Sequence, residues 1–543
     1  MLHFRPRLLD ELRGYDRTKL AADLAAGLTV AAVALPLALA FAIASGLKPE
    51  AGLFTAIVAG FLVSALGGSR VQIGGPAGAF VVVVYAIVER YGVANLLLAT
   101  MLAGGLLLLM GAFRLGNLVR FVPITIVIGF TNGIAVLIIL SQLKDFFGLQ
   151  VDELPADFFL KVRALANAAP SADPVTIALA VASLGLIWAW PRLWRSRQGA
   201  LARGLHQVPG TIVGLVAGTV AVALLKLHVA TIGTRFGGIP QSLPQLSWPH
   251  AGWPELSLLA GPALTIALLG AIESLLCARV ADAAIEDRHD PNQELMAQGI
   301  ANIATPLFGG FCATGTIART MTNVRSGART PVAGMVHAAC LLAVVLVAAP
   351  LATHIPLATL AAVLLYVAYY MGEWHEFARL RQFSNYYRVV LLTTFTLTVV
   401  LDLTVAVQAG LVLACLFFIA RMSSLTRVEP IDSAEKEVEA YRISGSLFFG
   451  AVGKMDGLLD PKRAQPRVMI LDLAPLLNMD NTGLETIETL HTMLRKRGSV
   501  LILCGLQEQP QWLAAQSGLA ADLGADNVVP TLADAWRRAR AVR

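Results

Sequence analysis

The chain has 543 residues, of which 56% are hydrophobic and only 14% charged, with a mean hydropathy of +0.67. A soluble chain carries roughly a quarter charged residues, so this composition excludes a purely water-solvated protein and points to one solvated mostly by lipid. The formal net charge of +6 does not call for a nucleic-acid partner, because most basic residues sit in short loops beside apolar runs, where the positive-inside rule accounts for them.

Met1 to Lys19 is polar and basic and leads into a long apolar run. That run is too long for a signal peptide, and another membrane segment follows at once. A spanning helix needs about 20 mostly apolar residues, and about fourteen candidates meet that measure. They begin near Leu20, Ala51, Val71, Ala94, Leu118, Pro174, Gly210, Leu258, Asn292, Ala313, Pro331, Leu357, Val389 and Leu403. The runs near Val71 and Ala313 are short and interrupted by glycine. With the N-terminus inside, the loops after even-numbered spans carry Arg70, then Arg114 and Arg120, then Arg192, Arg195, Arg197 and Arg203. Later ones carry Arg325 and Arg329, then Arg379, Arg381 and Arg388. The intervening loops are poor in basic residues or mildly acidic, as between Lys144 and Asp173. This alternation predicts an even number of spans with both termini cytoplasmic.

From about Thr426 the charge density rises, and the pattern alternates strand and helix. Val468 to Leu473 and Ser499 to Cys504 read as strands, and Thr482 to Arg495, Gln509 to Ser517 and Leu532 to Val542 as helices. This predicts a small α/β domain of about 110 residues. The expected divisions are an N-terminal segment over 1–19, a transport domain over 20–425 and the α/β domain over 426–543. The five cysteines (Cys277, Cys312, Cys340, Cys415 and Cys504) are scattered without a Cys-x-x-Cys pair. Neither a disulfide framework nor a metal site is expected, nor any cofactor.

Two short broken spans occur at corresponding places: Gly74-Gly75-Pro76-Ala77-Gly78 in the third and Ala313-Thr314-Gly315-Thr316 in the tenth. Seven helices separate them, which fits two inverted repeats, about 20–229 and 258–425, and paired broken helices point to a transporter binding site. Glycine also permits close helix packing, the competing reading. A half-helix starting in mid-membrane aims its unpaired N–H groups and positive dipole end into the protein, and two facing ones form an anion pocket. Pro76 suits a first helical turn, while Gly75, Gly78 and Gly315 let backbone approach a ligand closely. Ala77 and Ala318 lie beside them, and Thr314 and Thr316 can add hydroxyl donors. Arg319, about one turn beyond Gly315, is a cation inside a span and is expected to face the bound anion. The alternative places it toward the cytoplasmic mouth with Arg325 and Arg329.

Glu273 lies in the apolar run Ala263 to Cys277. Three roles are open to it: a proton-coupling carboxyl, an anchor for half-helix backbone, or an ion pair with Arg319. Pro36 interrupts the first span, and Phe41, about 1.4 turns beyond it, is a further pocket-wall candidate. Asp23, Asp402, His337 and His354 read as caps, interface residues or core polar groups.

Gly74-Gly75-Pro76, Gly270-Ala271-Ile272-Glu273-Ser274-Leu275 and Gly315-Thr316-Ile317-Ala318-Arg319-Thr320, continued by Asn323-Val324-Arg325-Ser326-Gly327-Ala328, resemble the SulP anion transporters, solute carrier family 26 in animals. The tail resembles the STAS domain through Ile470-Leu471-Asp472-Leu473 and Met479-Asp480-Asn481-Thr482-Gly483-Leu484. The resemblance implies an all-α polytopic membrane domain of fourteen helices in two inverted seven-helix repeats, divided into core and gate, plus the cytoplasmic α/β STAS domain. The core comprises the first to fourth and eighth to eleventh spans, with the anion between the third and tenth. It further implies a transporter rather than an enzyme, working by core movement as a homodimer in the bacterial inner membrane. Its substrates are sulfate, bicarbonate, chloride or four-carbon dicarboxylates. Leu37 follows Pro36 where sulfate-type members have Gln, which resembles the dicarboxylate-type branch. Cys277 replaces the hydroxyl residue of sodium-coupled members, so the proton is the expected coupling ion. Asn481 matches the phospho-acceptor serine of the STAS relatives. The rival readings are a nucleobase–proton symporter of the same plan, and a channel-like or regulatory membrane protein working through its STAS domain.

Overall fold

The computed structural model describes residues 4–117, 122–151, 154–195, 208–242, 246–248, 257–401, 403–433, 435, 437–460, 462–464 and 466–542. Arg120, Arg197, Arg203 and Asp402, as well as the predicted span start at Leu118, lie outside the described residues, as does the side chain of Arg195. The chain divides into two compact units, Met1–Leu411 and Val412–Arg543.

The first unit is helical. Its principal helices are α1 (Arg17–Ala44), α2 (Pro49–Leu66), α3 (Gly78–Ala112), α4 (Ile124–Phe147), α5 (Phe158–Ala168), α6 (Pro174–Arg195) and α7 (Gly210–Leu225). There follow α8 (Ala260–Ile285), α9 (Pro291–Leu307), α10 (Ile317–Arg325), α11 (Val332–Ala352), α12 (Leu357–Met371) and α13 (Asn385–Val400). A last apolar helix, α14 (Leu403–Leu425), runs across the division between the units. Among the described residues, eight helices are long and apolar enough to cross a membrane (α1 to α4, α6, α8, α11 and the Val405–Leu425 part of α14), while α7 and α12 are shorter apolar helices. The predicted third and fourth spans form one run in α3, broken at Gly92, whose φ of +82° leaves the helical region. Pro36 does not end α1, which continues through it to Ala44.

Two sets of helices pack among themselves. In one, α1, α2, α3, α8, α9 and α11 enclose two short extended segments. Here α3 and α9 approach backbone to backbone: a Cβ on Gly104 would lie 2.7 Å from the Gly299 carbonyl oxygen, and one on Gly299 would lie 2.7 Å from that of Gly104. Lipid supplies no hydrophobic drive between helices, so such close approach carries the packing. In the other set, α12 packs on α4 and α6, α13 on α4, and α7 on α6.

Asp23 ties α1 to the start of α11. It is fully buried and accepts from the backbone N–H of Arg329 (2.7 Å) and Thr330 (3.1 Å), the Thr330 hydroxyl (2.6 Å) and the Tyr15 hydroxyl (3.1 Å). Burial and the Asp23 carboxylate push the Tyr15 phenol up to about 12, so it stays a donor at physiological pH. His354 is exposed at a helix end, whereas His337 is fully buried in α11 with both ring nitrogens unpartnered among the described residues.

The second unit is an α/β domain. Strands β3 (Arg427–Ile431), β4 (Val438–Leu447), β5 (Val468–Asp472), β7 (Val500–Cys504) and β8 (Val528–Val529) form a sheet in that order, with β6 (Leu476–Met479) pairing beside β4. Only β3 runs antiparallel to its neighbour. Both faces are covered, so β5 is apolar from Val468 to Leu471 and ends in Asp472, which pairs with Arg442 at 2.8 Å. Met469 and Leu471 pack with Ile487, Leu490 and Leu494 of α15 (Asn481–Lys496). Val468 and Ile470 pack on the other face with Ala535 and Ala539 of α17 (Leu532–Ala541), which follows α16 (Glu508–Gln516). Asp480 caps α15 by accepting the Gly483 N–H at 2.8 Å, leaving Asn481 exposed in the first turn. The sequence reading missed β3, β4, β6 and β8.

Removing the Asp23 carboxylate strands two backbone N–H groups. Asp23→Ala is expected to cost about 3 kcal/mol and Asp23→Asn less, read as the fall in unfolding temperature of the detergent-solubilised protein.

Candidate functional site

Extended backbone in the middle of a helix bundle cannot turn to water, so its N–H and C=O groups must pair within the protein. Here β1 (Gly74–Gly75) pairs antiparallel with β2 (Thr314–Gly315), Gly74 opposite Gly315 and Gly75 opposite Thr314. Side chains from outside the pair complete the bonding. The Ile73 N–H donates to Thr320 Oγ1 (3.0 Å), Asn323 Nδ2 donates to the Val71 carbonyl (2.9 Å), and the Thr316 N–H donates to the Ile73 carbonyl (3.0 Å). Asn302 both accepts from the Ala313 N–H (2.8 Å) and donates to the Ala313 carbonyl (2.9 Å). The glycines make room for the ends of two buried side chains. A Cβ on Gly315 would lie 1.8 Å from Gln72 Nε2, and one on Gly75 would lie 2.3 Å from Arg319 Nη1.

Each strand leads into a half-helix. Gly78 opens α3 with Ala77 as N-cap, and Ile317 opens α10 with Thr316 as N-cap; neither has a side-chain cap. The Phe80 N–H turns back to the Ala77 carbonyl (3.1 Å), while the N–H groups of Gly78, Ala79, Ile317 and Ala318 at the two helix starts can meet a ligand. Pro76 sits just ahead of the first. Phe41 is buried beside that helix start: a Cβ on Gly78 would meet its ring at 3.4 Å and Met371 Sδ at 3.3 Å. Met371, from α12, gave no signal in the sequence.

Arg319 lies across the crossing. It is only 1% exposed. Its Nη2 donates to the Pro76 carbonyl at 3.1 Å, and its Nη1 has no partner among the described residues. A buried guanidinium without a counter-charge is costly, by several kcal/mol. The expected role for Thr314 and Thr316 requires correction. Thr314 Oγ1 donates to the Gly270 carbonyl (2.9 Å) and Thr316 Oγ1 to the Ile73 carbonyl (3.1 Å), so both hydroxyl protons hold backbone. Ala318 is exposed.

Glu273 is half-buried on α8, one turn beyond Gly270. Among the described residues it makes no ion pair with Arg319, contrary to one of its three expected roles, and no hydrogen bond to half-helix backbone. The carboxylate that does anchor backbone is Glu294 of α9, fully buried. Its Oε2 accepts from the N–H of Gly68 (3.0 Å) and Ser69 (3.3 Å), and its Oε1 from Gln298 Nε2 (3.2 Å) and the Ser274 hydroxyl (3.4 Å). Ser274 Oγ also accepts from Gln72 Nε2 at 2.8 Å, so the network reaches the residue preceding β1 by two positions. The sequence reading passed over Glu294 because it lies at the start of a predicted span. An acidic residue inside that apolar run was the available signal.

The sulfate permease family model matches residues 20–394, and the STAS domain model matches residues 433–535. A putative sulfate transporter of Bacillus subtilis, YvdB, is 40% identical over 527 residues, covering 95% of this chain and 97% of its own. Among solved structures, the transmembrane domain of a cyanobacterial bicarbonate transporter, BicA, superposes with a TM-score of 0.65 at 33% identity, covering 72% of this chain and 98% of its own. The murine anion transporter Slc26a9, in its inward-facing state, matches with a TM-score of 0.86 over 98% of this chain and 94% of its own. At 17% identity the latter bears on the fold alone.

Gly75→Ala and Gly315→Ala are each expected to lower the unfolding temperature. Gly270→Ala, whose new Cβ would meet nothing nearer than 3.5 Å, is expected to stay near the parent. Glu294→Ala is expected to cost about 3–5 kcal/mol, the scale for breaking a buried charged network, in the same measurement.

Proposed function

This chain belongs to the sulfate permease family, and on that footing we propose that it is a secondary active transporter of small anions, of the sulfate, bicarbonate or four-carbon dicarboxylate class. The observation that carries this reading is the Arg319 guanidinium, buried at the crossing of two half-helices with Nη1 unpartnered among the described residues. An anion between the starts of α3 and α10 receives first-turn N–H groups from both helices and supplies the missing counter-charge. Gly75, Pro76, Ala77 and Gly78 form one wall, with the Phe41 ring beside them. Thr314, Gly315, Thr316 and Ala318 form the other, the two threonines through their backbone.

Glu273 is the proton-coupling group in this reading. A carboxyl group that is neither ion-paired nor hydrogen-bonded among the described residues can exchange its proton without dismantling the fold, in contrast to Glu294. Protonation accompanying anion entry limits the net charge carried through the membrane. Alternating access follows from movement of the α1–α3 and α8–α11 set against the α4–α7 and α12–α14 set, as an elevator within a homodimer. The proposed topology has fourteen spans over 20–425 and both termini cytoplasmic, with the STAS domain on the cytoplasmic side of a bacterial inner membrane.

The test is uptake by proteoliposomes of radiolabelled sulfate, bicarbonate, fumarate and uracil under an inward proton gradient. Gradient-driven uptake of at least one anion and none of uracil is expected; uptake of uracil alone would replace this reading with a nucleobase symporter. Arg319→Ala is expected to weaken anion affinity by roughly 1–3 kcal/mol, the scale of a charge-assisted contact. Glu273→Gln is expected to bind anion normally while losing the response to the proton gradient; a parental response would remove Glu273 from coupling.

A further inference from the structure

A second anion-recruiting element lies outside the half-helix site. A cavity of about 790 Å³ opens between α1, α3, α4, α5 and α8, and its lining follows α3 from Arg90 to Val81, one turn from Gly78. The short helix α5 covers part of it and contributes Lys161. The residue is only 5% exposed, yet its ammonium group makes no ion pair or hydrogen bond among the described residues. Its Nζ stands over the Tyr85 ring at 5.3 Å from the centroid, and Tyr85 in turn donates its hydroxyl to the Leu154 carbonyl.

We propose that Lys161 forms an outer anion-binding subsite, which takes the same class of small anion from the external solution and holds it in this cavity ahead of the half-helix site. This rests on the topology proposed above, in which the α4–α6 connection is external.

The other lining charges support the assignment. Among the described residues three acids line the cavity, and each is engaged. Glu89 accepts from the Ala156 N–H through both oxygens (3.2 Å each), Asp145 pairs with Arg235 (2.9 Å), and Asp157 caps α5 by accepting the Leu160 N–H (2.9 Å). Arg90 rests over the Tyr91 ring at 5.3 Å. Lys161 is thus a cation with its ring contact on one side and cavity on the other. Burial is the dominant influence on its amine and lowers its pKa, while Glu89 and Asp157 oppose that fall. A bound anion would act in the same direction as those acids. The ring contact alone also describes a purely structural clamp holding α5 on α3, and an experiment separates the two.

Intact cells expressing the full chain are treated with a membrane-impermeant, anionic amine-acylating reagent, with and without saturating sulfate, bicarbonate or fumarate, and each lysine is quantified by mass spectrometry. Lys48 and Lys226, exposed at helix ends on the same side, serve as controls. At least one anion is expected to protect Lys161 about fivefold or more while leaving Lys48 and Lys226 unprotected. Labelling of Lys161 that no anion changes, or no labelling at all, overturns the subsite. Labelling confined to Lys19 and Lys496 overturns the external placement. In parallel, Lys161→Gln is expected to raise the KM for external anion about tenfold with kcat little changed, and Lys161→Arg to keep KM within about threefold. An equal fall in kcat for Lys161→Gln, without a change in KM, favours the clamp and overturns the subsite. Protection of Lys161 in a protein that moves none of the three anions in liposomes would uphold the subsite while overturning the transport reading.

Discussion

Everything at the proposed site depends on one requirement, that two stretches of non-helical backbone in the middle of a membrane bundle satisfy their hydrogen bonds. The four residues of β1 and β2 pair with each other, and Asn302, Thr320 and Asn323 supply the bonds that pairing leaves over. Only then can the helices stop where they do and leave first-turn N–H groups open. The polar side chains that look like ligands in the sequence are largely occupied with this work. The groups left over for chemistry are main-chain N–H groups and one guanidinium.

Two carboxylates show the same division of labour. Glu294 is enclosed by four donors from α2–β1 backbone, α8 and its own helix, an arrangement suited to permanence. Glu273, about one turn of α8 before Cys277 and half-buried, has none of these ties. Ordinary titration at Glu294 would loosen the crossing itself, whereas a proton arriving at Glu273 disturbs no bond in the described structure.

Much of the fold was legible because hydropathy reports directly on membrane burial. The helices begin close to the apolar runs, and the broken spans announced themselves through glycine and proline where a helix should continue. Arg319 was legible for a related reason, since a cation in an apolar run has few uses. Hidden were the features that depend on partners far away in the chain. Gln72 meets Ser274 across 202 residues and Glu294 meets Gly68 across 226; no local pattern records such pairs. The threonine hydroxyls misled because a side chain's donor capacity is visible in sequence, but its use by a neighbouring carbonyl is not. In the α/β unit, β4 escaped notice because its buried positions lose the period of two, passing from Val438 and Ala440 to Ile443 and Leu447.

The direct backbone contact of Gly104 with Gly299 has a mechanical corollary. It joins the part of α3 beyond the Gly92 break to α9, whose Glu294 and Asn302 hold the approaches to both strands. The two helix starts themselves are tied through the β1–β2 pairing, Gly74 opposite Gly315 and Gly75 opposite Thr314, so in the proposed transport cycle they would travel together. An anion held there would be carried as cargo in a closed hand, keeping the same contacts throughout its passage. Release on the far side would then depend on access to water and on the proton at Glu273, not on a loosening grip.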